Sequence, residues 1–169
     1  MKSKLLPSIV LGSICLIVAL LLAAVNSVTA PKIEEMQAQK VQETLSKVLP
    51  DGVNFVEISD IQSLPECISA AFSEDNGGYV FQMEVTGYKS GLIVMCGINA
   101  DGKITGADFV QSGETLSAEV GLGSQYVGQD SDSYEPILVS SATKTTQAYA
   151  DAIKAALDAF AILTEKEGA

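Results

Sequence analysis

Between Lys4 and Lys32 no residue carries a charge, and the stretch from Leu5 to Val25 is almost wholly Leu, Ile, Val and Ala. A bilayer's hydrocarbon core of about 30 Å is crossed by a helix of about 20 apolar residues, whose backbone groups are all bonded internally. The run has that length. The sequence therefore predicts a short N-terminus and transmembrane anchor over residues 1–30, and a separate domain over residues 31–169. The apolar fraction of 47% is raised largely by this one segment. A cleaved signal peptide is the rival reading, since Val28-Thr29-Ala30 has the small residues of a cleavage site. A signal's apolar region is typically about 7–15 residues, which is shorter than this one. Pro31 would also follow the cut, where proline generally blocks cleavage. Cys15 follows Gly12-Ser13-Ile14 deep inside the run and makes no lipobox. A retained single-pass anchor is the better reading.

Lys2, Lys4 and the amino terminus precede the span, whereas Lys32 is followed closely by Glu34 and Glu35. The positive-inside bias then puts the N-terminus in the cytoplasm and residues 31–169 on the outer side of the cell membrane. That domain holds eight lysines, no arginine and all 21 acids, a net charge of −13. Such a surface repels nucleic-acid phosphates and excludes nucleic acid as a partner. It suits a basic redox partner, or simply solubility.

There is no histidine, and Cys15, Cys67 and Cys96 form no CxxC or other metal spacing. Zinc, haem and iron–sulfur centres lack their usual ligands here, and no metal site or catalytic residue is expected. Triad chemistry and histidine acid–base catalysis are absent as well. Any redox cofactor is organic or held by oxygen ligands. Cys67 and Cys96 are free to pair only in an oxidising compartment.

Pro31, with Glu34 and Glu35 behind it, reads as the start of a helix that Pro50-Asp51-Gly52 ends. From Val53 to Val110 the pattern becomes strand-like. Val53, Phe55 and Val56 open a short strand. Tyr79, Phe81, Met83 and Val85 alternate with polar neighbours, apart from Val80, as on a half-buried strand. Leu92–Ile98 is a continuous apolar run suited to a central strand, and Asn99-Ala100-Asp101-Gly102 is turn chemistry before another strand over 103–110. Near the end Tyr149, Ile153, Ala156, Phe160 and Leu163 recur at helical steps, with Asp151, Lys154 and Asp158 opposite. The fold class is α+β: an antiparallel sheet flanked by helices, with one N-terminal transmembrane helix.

Two segments hold candidate chemistry. Ser140-Ser141-Ala142-Thr143-Lys144-Thr145-Thr146 precedes the final helix. Ser and Thr cap helix N-termini as ordinary structure, yet the same place offers free N–H groups and partial positive charge to a phosphate. Glu114-Thr115 and Gly121-Leu122-Gly123 follow the last strand, where glycines serve as a flexible link or let backbone approach a flat ligand.

The order of these pieces carries a resemblance. Gly87-Tyr88, Gly91-Leu92-Ile93-Val94-Met95, Gly97-Ile98 and Asp101-Gly102-Lys103-Ile104-Thr105-Gly106 come first, followed by Glu114-Thr115, Gly121-Leu122-Gly123 and Ser140-Ser141-Ala142-Thr143. Over about residues 79–163 the chain resembles the FMN-binding domain of the G subunit of the Rnf electron transport complex. The C subunit of sodium-translocating NADH:quinone reductase is similar. The resemblance implies an FMN joined through its phosphate to Thr143 by a separate flavin transferase, with Ser140, Ser141 and Ala142 around it. It places Glu114, Thr115, Gly121, Leu122 and Gly123 on the side of the flavin ring. It also implies an electron-carrier subunit of a redox-driven ion pump, partnered by membrane and peripheral subunits that contain the ion pathway. Ser141 stands where the family has glycine, Ile137 where it has aspartate, and the segment from Glu114 to Gly123 is four residues longer than the family's. A stand-alone anchored flavoprotein is the alternative within redox biology. An anchored binding or assembly domain without cofactor is the alternative outside it.

Overall fold

The computed structural model describes residues 2–115, 118 and 120–167. Its contacts divide into two units, residues 1–39 and 40–169. Helix α1 runs from Lys2 to Val48. Among the described residues it is the one helix long and apolar enough to cross a membrane, with a mean hydropathy of 2.4 over its apolar stretch. Leu20, Leu21 and Leu22 are 62–65% exposed and form part of an apolar belt. Lipid is the solvent that such a belt fits. The sequence predicted a helix opening at Pro31 and extending the anchor outward; the structure has one continuous helix that passes through that proline. A proline inside a helix forfeits one backbone bond. One turn earlier, the hydroxyls of Ser27 and Thr29 donate to the carbonyls of Ala24 and Val25, both at 2.8 Å.

Residues 40–169 hold a five-stranded antiparallel meander: β1 Val56–Glu57, β2 Ile68–Ser73, β3 Tyr79–Val85, β4 Leu92–Ile98 and β5 Ile104–Gln111, in that spatial order. The expected short strand shrinks to β1, and Val53 and Phe55 lie before it. β2 has no clear alternation of apolar and polar residues, because it is largely Ser and Ala; only Ile68 and Ala71 of it are buried. The other strands fall where the pattern put them. At the β4–β5 turn the Asn99 side-chain oxygen accepts from the N–H groups of Asp101 at 3.1 Å and Lys103 at 2.9 Å. Gly102 supplies the left-handed conformation there, at φ +77°.

Both faces of the sheet are covered. On one, Tyr79, Phe81, Met83, Leu92, Val94, Cys96 and Ile98 pack beneath helix α2 (Thr143–Glu167). The predicted stripe is its inner side: Tyr149, Ile153 and Ala156 are fully buried, while Asp151, Lys154 and Asp158 are exposed. On the other face, Val80, Met95 and Val110 pack against Leu45, Val48 and Leu49 from the end of α1. That second core explains why Val80 breaks the alternation of β3, and why β4 is apolar on both sides.

The end of α1 is seated in a dent in the sheet. Gly97 pairs with Gly106 across β4 and β5. A Cβ on them would come within 2.4 Å and 2.9 Å of the Val48 carbonyl oxygen. Thr105 is the extra residue of a β-bulge between the Gly97–Gly106 and Ile98–Ile104 pairs. Its hydroxyl donates to the Val48 carbonyl at 2.6 Å.

Candidate functional site

Helix α2 begins directly after the Ser/Thr-rich segment. The Ala142 N–H donates to the Val139 carbonyl at 2.9 Å, and the first helical bond runs from the Thr146 N–H to the Ala142 carbonyl at 3.0 Å. The N–H groups of residues 143–145 precede that bond and have no acceptor within the helix. No acidic residue occupies the first turn of α2. The carboxylate nearest this positive helix end comes instead from Glu114, distant in the chain, which meets the Thr145 side chain.

The hydroxyls here have different fates. Thr146 is fully buried, and its oxygen accepts from the Val139 N–H at 3.2 Å. Thr145 is 4% exposed and donates to a Glu114 oxygen at 2.5 Å. Thr143 is exposed, and its hydroxyl makes only long contacts with the carbonyls of Val139 at 3.5 Å and Ser140 at 3.4 Å. Those are weak bonds that a better partner displaces. Of the threonines in the segment, Thr143 is the exposed one, and its hydroxyl makes no contact shorter than 3.4 Å.

A cavity of about 440 Å³ opens beside it. Ser140, Ser141, Ala142, Thr143, Lys144 and Thr145 form one wall; Glu114, Thr115 and Tyr88 form the other. Burial pushes the Glu114 carboxyl up, but the Thr145 hydroxyl, the N–H groups of Lys89 and Tyr88, and the Lys89 charge outweigh it. The group ends below the usual carboxylate value.

The cavity thus unites most of the predicted site: Thr143, Ser140, Ser141, Ala142, Glu114 and Thr115. Gly121, Leu122 and Gly123 are not among its lining residues. Leu122 is 2% exposed, within the core under α2. Gly123 starts a 3₁₀ turn, Gly123–Tyr126, pressed so tightly on β5 that a Cβ would lie 1.8 Å from the Ala107 carbonyl oxygen. Gly121, at φ +75°, permits the turn into it. Gly123 is thus required by close packing on β5, and Gly121 by its left-handed backbone. Leu116, Ser117 and Glu119 of the lengthened segment lie outside the described residues. Ile137, at the position of the family's aspartate, is half-buried against the core, and its N–H donates to the Tyr126 hydroxyl at 3.0 Å. Tyr88 joins the site without having been expected there, and Lys144 joins it from within the Ser/Thr-rich segment. The signal for Tyr88 was an aromatic ring on a turn that needs none, and it is 68% exposed.

Neither domain cysteine takes part. Both are free thiols; burial pushes Cys67 up and Cys96 to about 12.

The donors around the cavity suit a phosphate ester joined to a flat ring: helix N-terminal amides, the hydroxyls of four exposed residues (Thr115, Ser140, Ser141 and Thr143), one lysine and an exposed phenol ring. Comparison with known proteins agrees. Residues 87–158 match the FMN-binding domain model, and residues 2–48 match that of the RnfG N-terminal region. The chain belongs to the FMN-binding domain family, with an RnfG-type N-terminal region. It is similar to the G subunit of the Na(+)-translocating ferredoxin:NAD(+) oxidoreductase complex of Acetobacterium woodii, being 32% identical over 141 residues. The alignment takes in 75% of this chain and 66% of that relative, just under two thirds of its length.

Proposed function

We propose that this chain is a membrane-anchored electron carrier of an Rnf-type complex, with one FMN esterified through its phosphate to Thr143. The observation that carries the reading is the exposed Thr143 hydroxyl at the uncapped start of α2, on the rim of a cavity large enough for a ligand. When bound, FMN supplies the one- and two-electron chemistry that no side chain of this protein offers. The protein's part is to hold and place it. The first-turn amides and Lys144 face a phosphate on Thr143 with positive charge. Ser140 and Ser141 offer further hydroxyl donors. A covalent bond removes loss by dissociation, which matters for a carrier facing outward from the membrane.

In this reading residues 1–30 are a short cytoplasmic N-terminus and anchor, and residues 31–169 lie outside the membrane. Partner subunits receive and deliver electrons and contain the ion pathway, because the span has no ionisable side chain besides Cys15. A separate flavin transferase makes the ester. The test is mass spectrometry of the peptide spanning Ser140 to Lys144, taken from the native host. The expected result is one FMN, less water, on Thr143; an unmodified peptide at full occupancy would refute the proposal.

A further inference from the structure

The Glu114 carboxylate ties together three segments distant in the chain. One oxygen accepts from the Lys89 N–H at 3.0 Å; the other accepts from the Tyr88 N–H at 3.2 Å and from the Thr145 hydroxyl at 2.5 Å. The first two donors sit on the turn between β3 and β4, and the third on the first turn of α2. At Gly87 a Cβ would lie 2.6 Å from a Glu114 oxygen and 3.1 Å from the Thr145 Cα. The turn and the helix come this close only because residue 87 has no side chain. Both walls of the cavity therefore depend on one carboxylate. Its oxygens are occupied by protein donors, so it acts on a ligand through the residues it holds.

Tyr88, whose backbone Glu114 grips, lines the same cavity as Thr143 and is 68% exposed. An aromatic ring left open there is a surface for another flat ring, by offset stacking or edge contact. We propose that Glu114 is a positioning residue. It locks the β3–β4 turn to the start of α2 and so sets the gap between Tyr88 and Thr143, in which the isoalloxazine ring packs with Tyr88 as one wall. This rests on the proposed function and deepens it.

The experiment uses the full-length chain in detergent micelles, with and without attached flavin. Glu114→Gln turns one of the two acceptor oxygens into a donor, so the three bonds cannot all form, and it removes the charge that strengthens those that remain. Thr145→Val removes the helix side of the clamp without touching the carboxylate. In flavin-free protein, exchange of the Tyr88 and Lys89 amides should quicken on the order of tenfold or more in Glu114→Gln, as expected for losing bonds to a charged acceptor. In flavin-loaded protein, intact mass should still show the ester. The visible circular dichroism of the ring, which requires a fixed asymmetric setting, should fall in Glu114→Gln, Thr145→Val and Tyr88→Leu, and survive in Tyr88→Phe. Unchanged amide exchange overturns the clamp. Faster exchange with wild-type dichroism overturns the placing of the ring. A wild-type chain that never acquires flavin defeats the proposed function instead, and the exchange rates still report on Glu114 alone.

Discussion

Two helix ends meet the two faces of one sheet, and they are treated in opposite ways. The C-terminal end of α1 is closed by protein. Its last carbonyl receives the Thr105 hydroxyl, its backbone fills the Gly97–Gly106 dent, and Lys47 pairs with Asp108. The N-terminal end of α2 has hydroxyls and a lysine around it but no carboxylate in its first turn. A helix end whose orphan groups all find partners within the fold is a joint. One that opens on a cavity, with amides that have no acceptor in the helix, offers a place for a ligand.

The largest expected effect breaks the open end. Thr143→Ala should abolish attached flavin while Thr145 and Thr146 remain, since both are buried and engaged; a fluorescent band persisting on a denaturing gel would contradict this. At the closed end, Gly97→Ala puts a methyl 2.4 Å from the Val48 oxygen. It should cost about 2–3 kcal/mol of stability in urea unfolding, as overpacking does, yet leave flavin attachment intact. A wild-type midpoint would mean that the helix is not seated as described. Thr105→Val removes the hydroxyl from the Val48 carbonyl and should cost about 1–2 kcal/mol. If it costs nothing, the bulge has another purpose.

The smallest effect is a pH dependence. Burial raises Glu114, but the Thr145 hydroxyl and the turn amides outweigh it; burial likewise raises Glu74, but the N–H groups of Asn76, Gly78 and Val53 outweigh it. A carboxyl lowered by folding adds stability above its unfolded pKa of about 4.3, and that stability is lost as pH falls through the folded value. Stability should therefore drop on acidification below about pH 4.3, and less steeply in Glu114→Gln. Equal slopes would show that the clamp does not titrate with folding.

Much of this was legible before any fold. The anchor needed only length and hydropathy, because bilayer thickness is a one-dimensional constraint. The strands from Tyr79 to Gln111 and the buried stripe of α2 followed from periodicity, which is local. Val80 was an exception to the alternation until α1 was found covering the second face, which also accounts for the paired glycines at 97 and 106. Gly121 and Gly123 were open to two readings as well; close packing on Ala107 requires Gly123, and a left-handed backbone requires Gly121.

By itself the sequence determined the membrane helix, the antiparallel class and the hydroxyl-rich start of α2, since each is written in neighbouring residues. Only the tertiary structure decided which threonine stays exposed, and that Glu114 reaches back to Tyr88 and Lys89 and forward to Thr145. Those contacts join positions more than twenty residues apart, and burial of one hydroxyl or another depends on how the helix is rotated against the sheet. No local pattern encodes that rotation; the fit of side chains across the interface sets it.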